Sequence, residues 1–175
     1  MENRVDLREV GYNHPDVVAL VAEVQQEYVR RYGGEDTTPL APSMFVPPEG
    51  RYVVVYLDGE PVAMGGWRRH EEARDGPVPG SRPAEIKRMY VTPRARGRGL
   101  ARALLADLER SAGAAGCDLM VLETGRVQPE ALALYRSAGY VDIAPFGHYT
   151  ESDLSVHLGK RLRRPEGRRT RSPGH

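Results

Sequence analysis

Between Val91 and Leu105 the chain reads VTPRARGRGLARALL, which sets Arg94, Arg96, Arg98 and Arg102, with Gly97 and Gly99 among them, at the front of a leucine–alanine run. Glycine has no Cβ and takes positive φ freely, so a pair this close lets a bulky group approach the main chain. A helix starting just after the pair offers unpaired backbone N–H groups and the positive end of its dipole at the same point. The chemistry that suits this composition is anion binding, of a phosphate or pyrophosphate, with guanidinium groups adding charge. Two common phosphate binders are excluded. The loop has no Lys-Ser/Thr pair of a P-loop, and RARGRG does not follow the G-x-G-x-x-G spacing of dinucleotide folds.

The rest of the composition makes that anion site a local feature. In 175 residues, 25 Lys and Arg face 24 Asp and Glu, a net charge of +1. Nothing global favours nucleic acid or an anionic membrane, and the arginine-rich loop and tail lack the aromatic interleaving of an RNA surface. Cys117 is the single cysteine, which excludes an internal disulfide framework, reads as a small buried hydrophobe, and fits a reducing, cytoplasmic setting. The start, MENRVDLREV, has no apolar signal core, and no apolar run approaches the roughly 20 residues that span a bilayer. No Cys, His and carboxylate spacing suggests a metal site.

The elements that must position the loop follow from hydrophobic period. RVDLREV alternates as an edge strand. NHPDVVALVAEVQQEYVRRYGG places Val17, Leu20, Val21, Val24 and Tyr28 on one helical face, with Pro15 in the first turn and Gly33 and Gly34 to end it. The proline-rich EDTTPLAPSMFVPPEG is a loop with room for one helical turn. RYVVVYLDGEPVAMGGWRRH is a hairpin about Asp58-Gly59. After a Gly- and Pro-rich loop over 71–83, AEIKRMYV is a strand. Leu100, Leu104, Leu105, Leu108 and Ala112 then mark a helix up to Gly116. CDLMVLET is a buried strand, QPEALALYRSAG a helix, and YVDIAPF and DLSVHLG two further strands. The resulting order of strand, helix, three strands, helix, strand, helix and two strands is α+β with a mixed sheet. The strand–helix–strand unit over 84–123 makes its strands parallel by a right-handed crossover. Residues 1–162 form one domain, and 163–175 read as a basic, disordered tail.

At this point the sequence resembles the GNAT superfamily of acyl-CoA-dependent N-acetyltransferases. Arg94-Ala95-Arg96-Gly97-Arg98-Gly99 fits that family's R/Q-x-x-G-x-G/A pyrophosphate loop, YVTP resembles its V-x-P strand exit, and ALALYRSAGY resembles its later A-x-x-LY-x-x-x-GF signature. The resemblance implies a mostly antiparallel sheet whose parallel central pair splays to admit the pantetheine arm of acetyl-CoA. It implies backbone contacts from Met89, Tyr90 and Val91, with the Met89 N–H polarising the thioester carbonyl, and main-chain N–H groups of Gly97, Arg98, Gly99, Leu100 and Ala101 around the pyrophosphate. Arg94, Arg96, Arg98 and Arg102 would add side-chain charge. Tyr135 aligns with the tyrosine that protonates the departing thiolate. Gln128 stands where many relatives have Asn, so its contact with the cofactor arm is an open point.

A base must take the proton of the amine. Glu85, where some relatives hold a catalytic glutamate, shares a strand face with Lys87 and Met89, and Glu123 is the second candidate. For both, a structural ion pair competes with catalysis. Trp67, His148 and Tyr149 are candidates to line the acceptor pocket, and Lys87, Arg88, Arg30 and Arg31 to hold a carboxylate or phosphonate. The implied reaction is direct transfer of an acetyl group to a small-molecule amine, without nucleic acid or membrane partners and with a homodimer left open. The alternatives are acetylation of a protein lysine or N-terminus, and a CoA-binding regulatory domain without turnover.

Overall fold

The computed structural model describes residues 2–70, 78, 80–147 and 152–163. Its elements are strands β1 (Val5–Glu9), β2 (Gly50–Leu57), β3 (Glu60–Arg69), β4 (Pro83–Val91), β5 (Leu119–Gly125), β6 (Val141–Asp142) and β7 (Ser155–Arg161), with helices α1 (Pro15–Tyr32), α2 (Leu100–Ala114) and α3 (Pro129–Ser137). This is the order expected from the hydrophobic pattern. The Pro-rich loop contains a single 3-10 turn, Pro42–Phe45. Asp58 at φ 51° and Gly59 at φ 86° make the tight turn between β2 and β3, the positive-φ pair that matches strand twist.

The strands form one seven-stranded sheet in the order β1-β2-β3-β4-β5-β7-β6. Every neighbouring pair is antiparallel except β4 with β5. Alternation along β2 divides the core. Val53 and Val55 pack with Leu104, Leu105 and Leu108 of α2, while Tyr52, Val54 and Tyr56 pack with Val17, Leu20 and Val24 of α1. Trp67 belongs to the α2 side, where it is buried and its indole N–H donates to Ser111 Oγ at 2.8 Å. It is core, not acceptor pocket. Cys117 is also buried in that cluster.

Two features of the sheet create space for a site. The parallel ladder runs only through Pro83↔Leu119, Ala84↔Met120 and Glu85↔Val121. Beyond it β4 follows β3 as far as Val91, while β5 follows β7 as far as Gly125, so the two central strands part. The register of β4 against β3 also slips. Met64 faces Tyr90 and Gly66 faces Lys87, and Arg88 within the slip takes φ 54°. This is a bulge, which bends the strand and re-aims its side chains.

One strand is shorter than expected. The stretch YVDIAPF yields only Val141↔Gly159 and Asp142↔Leu158 as ladder pairs. Ile143 N–H still reaches His157 O at 3.0 Å, but Pro145 follows with no N–H to donate, and the ladder ends. The expectations for His148, Tyr149, most of the loop over 71–83 and the tail beyond Arg163 lie outside the described residues.

Candidate active site

The parting of β4 and β5 opens two adjoining cavities. The first, of about 330 Å³, runs from Glu27 and Tyr28 of α1, along Met89, Tyr90 and Val91, to Gly97, Gly99, Leu100 and Ala101. The second, of about 270 Å³, is lined by Tyr32, Asp36, Lys87, Arg88 and Glu123 among others. Tyr28, Met89, Gln128, Ala131 and Tyr135 line both. They are the wall and the doorway between the two spaces.

The loop before α2 has the features required of an anion cradle. Gly97 and Gly99 take φ 78° and 75°, and a Cβ at either would meet no protein atom within 4 Å. Glycine is therefore required there by backbone angle and not by crowding. Gly99 is the N-cap of α2 and supplies no side-chain cap, and the first turn of the helix contains no acidic residue. The leading N–H groups and the dipole are thus left for something outside the helix.

The arginines of this loop divide by partner. Arg96 reaches Glu27 Oε2 at 3.1 Å and Val91 O at 3.1 Å, and lines the first cavity. Arg102 donates to Ser137 Oγ at 2.9 Å from the same cavity. Arg94 donates to Pro61 O at 3.4 Å, and neither it nor Arg98 is among the lining side chains. Both side chains are exposed beside the loop, and their contribution of charge to the cradle is a proposal.

Tyr135 projects from α3 into the junction. Its ring is buried and stacks edge-on against Tyr140, with centroids 5.6 Å apart. Its hydroxyl lies 3.8 Å from Met89 Sδ. Burial pushes the phenol well above its ordinary pKa, so it holds its proton firmly. Gln128 caps the junction from the start of α3, its amide donating to Tyr32 Oη at 3.0 Å. That bond ties α3 to the end of α1 across the second cavity.

The two glutamates differ sharply. Glu85 is buried, receives Arg68 Nη2 at 3.1 Å and Lys87 Nζ at 3.2 Å, and lines neither cavity. Two cations close around its carboxylate, so of the two expected readings of Glu85 the geometry supplies the ion pair. Glu123 lines the second cavity and accepts from Ser155 Oγ at 2.7 Å. Burial raises its carboxyl above the ordinary range, against the opposing effects of the Ser155 hydrogen bond and Lys87. A carboxylate moved in that direction is a stronger base.

Arg31 donates to Val127 O at 3.0 Å and pairs with Glu27 at 3.1 Å. It lines the first cavity and not the second. Sequence reasoning placed Tyr28 only on a core face, since a tyrosine at helical spacing carries no sign of which cavity it will reach. The Glu27–Arg96 pair was equally hidden, because its partners are far apart in sequence.

Residues 18–140 match the model of the Acetyltransferase (GNAT) family, and the chain belongs to that family. It is 35% identical over 146 residues to the IAA acetyltransferase of Azospirillum brasilense, covering 83% of this chain and 90% of that one. It is 34% identical over 116 residues to the N-acetylaspartate synthetase of Homo sapiens; the match takes in 66% of this chain but spans 36% of that protein's length. Among solved structures, a putative acyl-CoA N-acyltransferase from Klebsiella pneumoniae superposes with a TM-score of 0.70 at 29% identity, over 90% of this chain and 97% of the other. A GNAT-family acetyltransferase from Staphylococcus aureus gives 0.71 at 14% identity, over 91% and 100% of the two chains, a likeness of fold alone. No helix among the described residues is long and apolar enough to cross a membrane.

Proposed function

We propose that this acetyltransferase moves an acetyl group from acetyl-CoA directly to a primary amine of a small molecule. The observation that carries the reading is the junction: a cavity ending in an uncapped, glycine-lined helix start meets a second, acid- and base-lined cavity at Met89 and Tyr135. The residues present fit acetyl-CoA as co-substrate. Main-chain groups of Gly97, Arg98, Gly99, Leu100 and Ala101 would hold its pyrophosphate, and Met89, Tyr90 and Val91 its pantetheine arm along the open edge of β4. When bound, acetyl-CoA supplies an activated thioester carbonyl.

The chain's own groups then divide the work. The Met89 N–H donates to the carbonyl oxygen as charge develops there. Tyr135 keeps its proton at the phenol oxygen until a thiolate needs it. Glu123, with its raised proton affinity, takes the proton that the amine must shed, directly or through one water. Tyr28 and Gln128 close the junction and limit water. Direct attack needs no covalent enzyme intermediate, and the second cavity has room for a small acceptor. The relatives support an acceptor of that size, since one is named an IAA acetyltransferase and another a synthetase of N-acetylaspartate, an acetylated amino acid.

The test is a thiol-release screen with acetyl-CoA against amino acids, polyamines, aminoglycosides and short peptides. Stoichiometric CoA release with a small amine, and N-acetyl product by mass spectrometry, is the expected result. Tight acetyl-CoA binding with no release from any acceptor would contradict it and favour a regulatory CoA-binding domain.

A further inference from the structure

Arg88 is not accounted for by the reaction described above. Its side chain is 6% exposed, lines the second cavity, and leaves Nε and Nη1 without a hydrogen-bond partner among the described residues. Asp36 faces it, with Oδ2 3.8 Å from Nε, an ion pair too long for a hydrogen bond. Asp36 is also held where it is. Its Oδ1 accepts from Thr38 N at 2.9 Å and Thr38 Oγ1 at 2.7 Å, and its main-chain N–H donates to Gln25 Oε1 at 2.9 Å. The arginine is in turn placed by the backbone. It occupies the bulge at φ 54°, and its carbonyl accepts from Tyr52 Oη at 3.3 Å.

A buried guanidinium with unmet donors on a left-handed backbone is a costly arrangement for packing alone. Both costs are explained if the guanidinium's unmet donors meet an anion that arrives with the substrate. Guanidinium matches a carboxylate through two parallel hydrogen bonds, which a lysine cannot supply. The neighbouring cation is already engaged, since Lys87 sits 3.2 Å from Glu85. The same cavity also presents Glu123 and Glu35. A lining of both signs suits a zwitterion better than a simple amine, whose ammonium group would need acids only.

We infer that the acceptor is an amine that also carries a carboxylate, an amino acid or amino-carboxylate, and that Arg88 is the residue that selects it. This rests on the transferase reading above and narrows its substrate class. Arg88 binds the carboxylate while the amine lies toward Met89, the next residue in the strand and part of the shared junction.

The experiment uses the full chain saturated with CoA or acetyl-CoA and matched pairs of ligands: L-amino acids, β-alanine and 4-aminobutyrate, each against its carboxamide. Binding is read by calorimetry and turnover by thiol release. At least one acid is expected to exceed its amide by about 100-fold in affinity and in kcat/KM, the scale of a charge-assisted bidentate contact. Arg88→Gln should remove that preference mainly through KM and leave CoA affinity unchanged. Arg88→Lys, which keeps charge without the fork, should retain about a tenth of it. The wild-type comparison decides even if the variants fold poorly. Acids no better than amides, or no acid bound at all, overturns the inference, whether or not amines are acetylated. An acid bound through Arg88 without CoA release supports it and overturns the transferase reading instead.

Discussion

Valine in place of Gly99, compared with valine in place of Gly59, separates a ligand cradle from a strained turn. The two glycines have nearly the same backbone, with φ 75° and 86°, and neither has a protein atom within 4 Å of an added Cβ. An L-residue in the left-handed region costs about 1–2 kcal/mol, so both variants should lose roughly that much stability. They differ in what lies beyond. Gly59 sits in the turn between β2 and β3, whereas Gly99 lines the first cavity and begins α2. If a Cβ there displaces the pyrophosphate from two backbone N–H donors, the loss is about 1.5 kcal/mol for each charge-assisted bond. Together that is roughly a 100-fold weaker Kd for CoA. Thermal unfolding supplies the stability arm and calorimetric CoA titration the affinity arm. Equal CoA affinity in folded Gly99→Val and Gly59→Val proteins would refute the reasoning, since the backbone strain they share would then be the whole effect.

Three further outcomes follow from the junction. Tyr135→Phe removes only a hydroxyl, so kcat should fall roughly 10- to 100-fold while CoA affinity stays within a few-fold, by steady-state kinetics and calorimetry; unchanged kcat in a folded variant would return Tyr135 to a packing role. Burial raises the Glu123 carboxyl, so its contribution to stability is complete below the unfolded pKa and is lost as pH rises through the folded one. Glu123→Gln should therefore abolish that pH-dependent loss in thermal melts, be the more stable protein at neutral pH, and lose the acidic limb of the kcat profile; an unaltered profile excludes Glu123 as the base. A Cβ at Gly125 would overlap the Tyr32 hydroxyl, which accepts from Gln128, so Gly125→Ala should raise the acceptor KM several-fold by breaking that tie, more than it weakens CoA, as measured by paired titrations.

The parts of the site readable from sequence are those carried by local chemistry. Period and punctuation placed the hairpin at Asp58-Gly59, the α2 stripe and the glycines ahead of it, because each depends on near neighbours in the chain. The parting of β4 from β5 was expected only by resemblance. The bulge at Arg88 left no sign, since its cause is a register slip against β3 and Arg is not a residue type that advertises positive φ. Glu85 and Glu123 were indistinguishable as letters. What separates them is tertiary: Arg68 and Lys87 close around one, while the gap in the sheet exposes the other to a cavity. The arginines show the same limit, as a cluster in sequence disperses when Arg94 turns to Pro61 and Arg96 to Glu27.

The most direct test of the central claim is the crystal structure of the full chain with CoA bound. The account predicts pyrophosphate density against the backbone of Gly97 and Gly99, the pantetheine arm along Met89 to Val91 between β4 and β5, and the sulfur beside the Tyr135 hydroxyl where the two cavities meet. CoA bound elsewhere, or a sulfur remote from Tyr135 and Glu123, would contradict it.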